Sequence, residues 1–317
     1  MDGAHARTRS RAIAIVGIPS ALGGHLPGME LTPAGLRSLG LLHRIRSRPG
    51  LAEVELRDLG DLAIEPGFRA DPDRRAKNRA AICEFLPRER DLVAAAVTSA
   101  TPTEPPPCLL VLGGDCIAHA GALAGLRADG RERRLAIAWF DAHGDFNTPE
   151  RTPSGNVWGM PFAMICGRGD NDLVTAAGGP TVNEEDAALF GGQVLDEEES
   201  RVLAASRIAH FGAGMLATRA GQAAVGAWAG IVADRVDGLY VAFDMDCLDG
   251  AAGWAVTMPE KDGLSLDTAA ATVRALAAAI PVVGFGPSGI TLPNGDAERT
   301  ADAVAVLVEA AFGAQGG

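Results

Sequence analysis

The sequence comprises 317 residues, 47% of them hydrophobic and 21% charged, with a formal net charge of −12 at pH 7. This balance is typical of a globular protein with a large core, and its acidity argues against nucleic acid or an anionic membrane as a partner. No run of about 18 apolar residues occurs, so we expect no membrane-spanning helix. The N-terminus lacks the apolar segment of a signal peptide and the five cysteines form no CxxC pair, so we expect a reducing, cytoplasmic location.

Short apolar runs alternate with alanine-rich segments along the chain. The apolar runs predict six buried strands, over residues 12–17, 108–113, 134–140, 207–212, 239–244 and 280–286. The alanine-rich segments predict five helices, over residues 76–100, 117–127, 221–235, 266–279 and 297–311. Thr32 and Pro33 indicate a further helix start with Thr32 as N-cap, and residues 101–107 indicate a loop.

Continuous apolar strands that are separated by helices favour a mostly parallel sheet covered on both faces. We therefore predict an α/β fold, a three-layer α/β/α sandwich with a mostly parallel central sheet. No linker-like segment or internal repeat divides the chain, so we expect a single domain over residues 1–317.

Unusual polar residues follow three of the predicted strands: Asp115 and Cys116; Asp141, His143 and Asp145; Asp244, Asp246 and Asp249. Ligand sites of open α/β sheets lie at the carboxyl ends of the strands. Residues i and i+2 of an extended segment point the same way, so each of the last two groups can converge on one target. Crowded carboxylates are costly to bury, and a bound cation offsets that cost. A lone aspartate is usually a cap or turn residue, but two such groups predict a metal site, suited to Mn, Fe, Ni or Zn.

The segments GGDC, DAHGDFNTPERTPSGNVWGMP and FDMDCLD resemble the three signature regions of the ureohydrolase (arginase/agmatinase) family. The resemblance covers most of the chain, from the first strand to the last helix. It implies an arginase-like fold and two Mn²⁺ ions that share a hydroxide, which attacks a guanidinium-type carbon. It also implies a homo-oligomer and a small-molecule substrate.

The resemblance also implies a role for individual positions. The first metal would be held by Cys116, Asp141, Asp145 and Asp244, and the second by Asp141, His143, Asp244 and Asp246. The implied catalytic residues are His143 and Asp145, of which Asp145 steers a proton to the leaving nitrogen. The implied substrate-binding residues are Asn147, Ser154, Asn156 and Trp158. Asn147, Ser154 and Asn156 also lie in turn-forming sequence, so a purely structural role stays open for them.

Four departures from the family pattern bear on metal and substrate. Cys116 replaces a histidine, which makes Zn, Fe or Ni alternatives to Mn²⁺, unless the thiol is only a buried packing group. Trp158 replaces a histidine that shuttles protons, which an indole cannot do. Gly289 stands where the family has the glutamate that receives the guanidinium. Met215 and Ala217 are interpreted as the positions of the acids for the substrate α-amine.

These patterns predict a binuclear-metal hydrolase that cleaves a linear C–N bond of a guanidino, hydroxyguanidino or amidino substrate other than arginine. Cys116 and DAHGDFNTPE are similar to the family branch that cleaves hydroxyarginine, although Gly289 departs from that branch as well. The alternative is a catalytically impaired scaffold or regulatory partner. Residues 284–289 match GxGxxG, but a dinucleotide site needs a helix at the third glycine, and the following ITLPNG does not predict one.

Overall fold

The computed structural model describes residues 12–63, 74–98, 105–128 and 133–313. These residues form eight strands: β1 (Ile13–Ile18), β2 (Leu56–Asp61), β3 (Cys108–Gly113), β4 (Leu135–Asp141), β5 (Ala187–Gly191), β6 (Ala209–Phe211), β7 (Gly238–Asp244) and β8 (Val282–Ser288). They also form eleven α-helices: α1 (Thr32–Ser38), α2 (Leu41–Arg46), α3 (Arg79–Ala96), α4 (Ala118–Arg127), α5 (Pro161–Ile165), α6 (Asn171–Ala176), α7 (Glu197–Ala204), α8 (Ala213–Leu216), α9 (Arg219–Ala233), α10 (Leu266–Ala279) and α11 (Ala297–Phe312).

The strands form one sheet in the order β2-β1-β3-β8-β7-β4-β5-β6, and every adjacent pair is parallel. Alternate residues of each central strand enter two separate hydrophobic layers. In β4, Phe140 packs in the layer shared with α9, α10 and α11, whereas Trp139 packs in the layer shared with α3 and α4. The sheet is therefore buried on both faces, which confirms the predicted three-layer α/β/α fold.

Each of the six predicted strands and five predicted helices has a counterpart, with ends displaced by a few residues. The apolar pattern does not predict β2 and β5. β2 is an edge strand with the polar sequence LRDLGD, and it is only partly buried, so it carries no continuous apolar run. β5 has only five residues and follows the acidic turn Glu184–Asp186, which hides it among loop residues.

One local prediction is corrected. α1 begins at Thr32, but the residue at its N-cap is Leu31. The Thr32 hydroxyl instead donates to the carbonyl of Ile290, 2.7 Å away, so it ties the helix to the segment after β8. Residues 284–288 lie within β8, and the next α-helix begins only at Ala297, so the GxGxxG match has no helix at its third glycine.

Other predictions fall wholly or partly outside the described residues. The N-terminal residues 1–11 and part of the predicted loop over 101–107 lie there. Residues 99 and 100, at the end of the helix predicted over 76–100, lie there as well. Within the described ranges, no helix is long and apolar enough to cross a lipid bilayer.

Candidate metal centre and active site

Four neighbouring strands, β3, β8, β7 and β4, end around one cavity of ≈ 360 Å³. Cys116 follows β3, Asp141 ends β4 and Asp244 ends β7, so the parallel order brings distant parts of the chain to one edge. The cavity wall is strongly acidic. Its carboxyl groups belong to Asp115, Asp141, Asp145, Asp196, Glu199, Asp244, Asp246 and Glu260.

Backbone N–H groups hold the carboxylates at the strand ends. The amide of His143 donates to Asp141 Oδ1 at 2.7 Å, and the amide of Asp246 donates to Asp244 Oδ1 at 2.9 Å. The amide of Ala142 donates to Asp246 Oδ1 at 3.1 Å, which joins the ends of β4 and β7. Each carboxylate thus keeps lone pairs directed at the cavity, because it can accept more hydrogen bonds than it receives.

The side chains form two overlapping groups with the spacing of metal ligands. Cys116, Asp141 and Asp244 make one group, and Asp141, His143 and Asp246 make the other; within each group the ligand atoms lie within 4.8 Å of one another. Asp141 belongs to both groups. Two adjacent ligand sets that share a carboxylate match the chemistry of a binuclear centre, with the mixed oxygen, nitrogen and sulfur donors that transition metals accept.

Asp145 belongs to neither group, although its side chain lines the same cavity. Its Oδ2 atom is buried and has no hydrogen-bond partner among the described residues. Its backbone has a φ of 46°, a left-handed conformation that aspartate tolerates better than most residues. A buried carboxylate oxygen without a partner is costly, and a nearby cation would satisfy it. The donor set as a whole therefore fits two divalent metal ions.

Without a cation the carboxylates disfavour one another's charge. Burial raises the pKa of Asp244 to about 7, and the neighbouring Asp246 carboxylate acts in the same direction. Burial and then Asp141 raise the pKa of Asp246 to about 6. Burial, together with Asp141, raises the pKa of Asp145 well above its ordinary value. These shifts indicate a site in which negative charge is concentrated beyond what the protein itself compensates.

His143 is the main positive group that the protein offers to these acids. Its Nδ1 atom lies 3.2 Å from both Asp141 Oδ1 and Asp246 Oδ2. Burial lowers its pKa, but the hydrogen bonds to Asp141 and Asp246 outweigh burial and raise the pKa overall. A divalent ion would compete with this imidazolium for the same carboxylates, and a neutral imidazole would then serve as a ligand.

Cys116 lies at the inner end of a buried chain of polar groups. Its thiol donates to Asp244 Oδ2 at 2.9 Å and lies 3.5 Å from the Ser288 hydroxyl. Ser288 Oγ lies 3.0 Å from His119 Nε2, and His119 Nδ1 lies 3.0 Å from the Tyr240 hydroxyl. Burial, and then the charge of Asp244, raise the pKa of the Cys116 thiol well above its ordinary value. The thiol is therefore protonated in the absence of a cation, and it faces the carboxylates of the first ligand group, so its position suits a metal ligand as well as a packing group.

The residues interpreted as substrate-binding all line the cavity, but most already have protein partners. The side chain of Asn147 donates to Asp196 Oδ2 at 3.1 Å, while its buried Oδ1 has no partner among the described residues. Asn156 accepts from Lys77 Nζ at 2.8 Å. The Ser154 hydroxyl accepts from the Asn156 amide at 3.1 Å, so this serine also shapes the turn.

Trp158 lies against the loop that follows β1. Its backbone amide donates to the Gly23 carbonyl at 2.9 Å, and a Cβ on Gly24 would stand 1.9 Å from Cζ3 of the indole. The His25 ring is 5.8 Å from the indole, centroid to centroid. Asp115 holds the same loop, since its Oδ2 accepts from the Gly23 amide at 2.6 Å. Trp158 thus forms part of the cavity wall, with a glycine providing the space for its ring.

The sequence does not indicate two of the cavity acids, and it offers a third, Glu260, only as a replacement for the acid absent at Gly289. Asp196 and Glu199 belong to the start of α7, where they form a capping box, and Glu260 lies in the segment after β7. Met215 and Ala217, interpreted as the positions of the acids for the substrate α-amine, do not line the cavity, and Met215 is 43% exposed. The D-x-x-E pattern of a capping box is the sequence signal for Asp196 and Glu199. It follows β5, which the apolar pattern does not reveal.

An all-parallel sheet with crowded carboxylates at the carboxyl ends of its central strands defines an α/β protein with a candidate metal centre. The family model described as Arginase family matches residues 11–313. The chain therefore belongs to the arginase family, a family of hydrolases that act on C–N bonds of guanidines and amidines.

Individual relatives agree with this assignment. The arginase of Bacillus caldovelox is 29% identical over 310 residues, which cover 96% of this chain and 98% of the relative. Its solved structure at pH 5.6 superposes with a TM-score of 0.84 and covers 96% of this chain and 99% of that one. The arginase of Bacillus subtilis (strain 168) is 30% identical over 256 residues, covering 80% of this chain and 82% of the relative. A formimidoylglutamase from Bacillus subtilis shares the fold at 19% identity, with a TM-score of 0.73, and covers 95% and 86% of the two chains.

Proposed function

We propose that this protein is a binuclear metal-dependent hydrolase that cleaves a linear C–N bond of a guanidino, hydroxyguanidino or amidino substrate other than arginine. The observation that carries the proposal is the pair of ligand groups that share Asp141, at the carboxyl ends of β3, β4 and β7. Family membership supports the reaction class.

In this proposal one ion is held by Cys116, Asp141, Asp145 and Asp244. The other ion is held by Asp141, His143, Asp244 and Asp246. When bound, two Mn²⁺ ions supply Lewis acidity that makes water nucleophilic near neutral pH. A thiol ligand also makes Zn, Fe or Ni suitable at the Cys116 position. Asp145 also lines the cavity beside the other ligands, and one of its carboxylate oxygens would accept the proton of the attacking water and return it to the leaving nitrogen.

Two features support a substrate other than arginine. Gly289 carries no carboxylate, and its Cβ position is taken up by Asp244, so no acid can receive a guanidinium from that point. Trp158 stands where the family has a proton-shuttling histidine, and an indole N–H does not exchange protons near neutral pH. A substrate whose leaving nitrogen departs without that shuttle suits this cavity better.

The test is a screen of guanidino, hydroxyguanidino and amidino compounds against the metal-loaded protein, with release of urea or ammonia as the readout. Asp244→Ala, which removes a ligand proposed for both ions, serves as the inactive control. We expect turnover that depends on metal and is lost in the control. A protein that retains no divalent metal and turns over none of these compounds would instead support the scaffold or regulatory alternative.

A further inference from the structure

Glu260 is an acid in the cavity wall that the metal groups do not include. It lies in the segment after β7, whose backbone runs beside the end of β8. The amide of Thr257 donates to the carbonyl of Gly289 at 2.8 Å, and Val256 pairs with Ile290 in an antiparallel bridge. The carbonyl of Glu260 itself accepts from the amide of Gly250 at 2.7 Å. These bonds carry the Glu260 side chain to the cavity from the side on which Gly289 lies.

The position of Gly289 itself is closed to an acid. Its φ is +69°, and a Cβ there would stand 2.1 Å from Asp244 Oδ1. Any side chain at residue 289 would therefore displace a carboxylate that belongs to the metal groups. An anion for a cationic substrate therefore has to come from another part of the cavity wall.

The side chain of Glu260 is suited to that task. Its side chain is 29% exposed, so it is accessible from the cavity, and its Oε1 lies 3.8 Å from His143 Nε2. Among the described residues, His143 is the only cationic group within ion-pair distance of it. Asp196 and Glu199 are less available, since Asp196 accepts from Asn147 and Glu199 accepts from the backbone amide of Phe146 at 2.9 Å.

Charge balance points the same way. Two divalent ions would balance the four carboxylates of Asp141, Asp145, Asp244 and Asp246, which leaves the other acids of the cavity wall, Glu260 among them, without a metal ion to balance them. An excess negative charge at a cavity attracts a cation, and it stabilises that cation more strongly once both are shielded from water.

We propose that Glu260 binds the protonated nitrogen of the substrate head group and so replaces the acid that the family carries at the position of Gly289. This inference rests on the proposed function, and it narrows the substrate class to cationic guanidines and amidines over neutral ureas and amides. Glu260 would thus select a charged head group from the side of the cavity on which His143 lies, rather than from the end of β8.

The experiment compares binding of two probes to the Mn²⁺-loaded full-length protein by calorimetry. Propylguanidine carries a charged head group, and propylurea is its neutral counterpart. We expect the wild-type protein to prefer propylguanidine, and Glu260→Gln to weaken propylguanidine binding about tenfold or more while propylurea changes less than about twofold. Glu260→Asp keeps the charge and should retain most of the preference. Asp262→Asn is the matched control, because Asp262 is a nearby acid that does not line the cavity.

Metal content of the same samples separates this inference from a role in positioning His143. A metal-ligating histidine commonly donates its second nitrogen to a carboxylate, so Glu260 acting only in that way would lose metal in Glu260→Gln and weaken both probes equally. That result would overturn the inference, as would a wild-type protein without preference for the charged probe. Either outcome leaves the proposed function standing if the wild-type protein binds two ions and hydrolyses a substrate of the screened classes.

Discussion

A Cβ atom on Gly289 would stand 2.1 Å from Oδ1 and 2.3 Å from Oδ2 of Asp244, so the end of β8 and the carboxylate that ends β7 adjoin without room for a side chain. Glycine at this position is therefore a condition for the present position of Asp244. The absence of an acid at residue 289 and the position of Asp244 in the metal groups are therefore coupled.

Gly289→Ala should damage the candidate metal centre. The new methyl group would displace Asp244, and we expect metal affinity to fall about 10- to 100-fold, as for other changes that disturb ligand orientation. Gly179→Ala is the matched control, since Gly179 has a φ of 75° with nothing within 4 Å of its Cβ position. It should show only the backbone cost of about 1–2 kcal/mol. Metal retention is measured by elemental analysis after dialysis. Equal retention in the two variants would show that a methyl group at residue 289 does not displace Asp244.

Asp141→Ala and Asp244→Ala should each remove both ions. Asp141 belongs to both ligand groups, and Asp244 is proposed to bridge as well. Asp249→Ala provides the comparison, because Asp249 belongs to the same acidic run but accepts a hydrogen bond from the Ala251 amide at 3.0 Å and does not line the cavity. Elemental analysis of the purified variants measures the outcome. Two ions per chain in Asp244→Ala would show that the ligands are assigned wrongly.

Cys116→His should increase Mn²⁺ retention. The Cys116 thiol touches Asp244 and faces the first ligand group, and an imidazole there is a harder donor that suits Mn²⁺ better than sulfur does. We expect slower Mn²⁺ loss during dialysis and a lower preference for Zn²⁺ than in the wild-type protein. Cys247→Ser, a change at a buried cysteine outside both groups, tests for general effects of losing a thiol. Unchanged Mn²⁺ occupancy in Cys116→His would assign Cys116 to packing alone.

The metal-free protein should be more stable near pH 5 than near pH 8. The pKa of Asp244 is raised to about 7 in the folded state, so folding retains a proton that the unfolded chain releases near pH 4. Stability therefore falls as pH rises through that window. The raised pKa of His143 acts in the same direction above about 6.5, because the folded state again holds the proton more tightly.

Thermal unfolding with a chelator across this pH range measures the effect, and Asp244→Asn should flatten the pH dependence. Added Mn²⁺ should reverse it, because metal binds the deprotonated ligands and stabilises the folded state by about 2.7 kcal/mol at 100 times its Kd. A metal-free protein whose melting temperature rises from pH 5 to pH 8 would contradict the raised pKa values of Asp244 and His143.

Arginine should be a poor substrate, with kcat/KM below about 10⁴ M⁻¹s⁻¹ for the Mn²⁺-loaded protein. Trp158 cannot pass a proton to the leaving amine, and this loss applies even where Glu260 binds the guanidinium. Trp158→His should raise urea release from arginine if proton supply limits the reaction. Efficient turnover of arginine by the wild-type protein would overturn the exclusion, and its loss in Glu260→Gln would then assign the guanidinium to Glu260.

The sequence predicts the central part of the fold because buried parallel strands are continuous apolar runs, and the ligand groups follow from the polar residues that end those runs. Asp141, His143, Asp244 and Asp246 come together for that reason. The same logic misses the edge strand β2, whose polar composition resembles a loop, and it misses β5 because the strand is short.

The acids on the cavity wall depend on features that a single strand pattern does not contain. Asp196 and Glu199 reach the cavity through the turn after β5, so the missed strand hid them. Glu260 reaches it through an irregular segment whose course depends on the pairing of Val256 with Ile290, more than thirty residues away. Contacts of this kind join segments without periodic pattern, and only the three-dimensional structure reveals them.

The contact between Gly24 and the Trp158 indole couples the side chains that residues 24 and 158 tolerate. Any side chain at residue 24 would enter the ring, because even its first carbon would stand 1.9 Å from Cζ3. A histidine at residue 158 is smaller and leaves more of that space to residue 24, whereas a tryptophan does not. Residues 24 and 158 are therefore coupled: a side chain at residue 24 requires the indole to move, and a smaller ring at residue 158 relaxes that requirement.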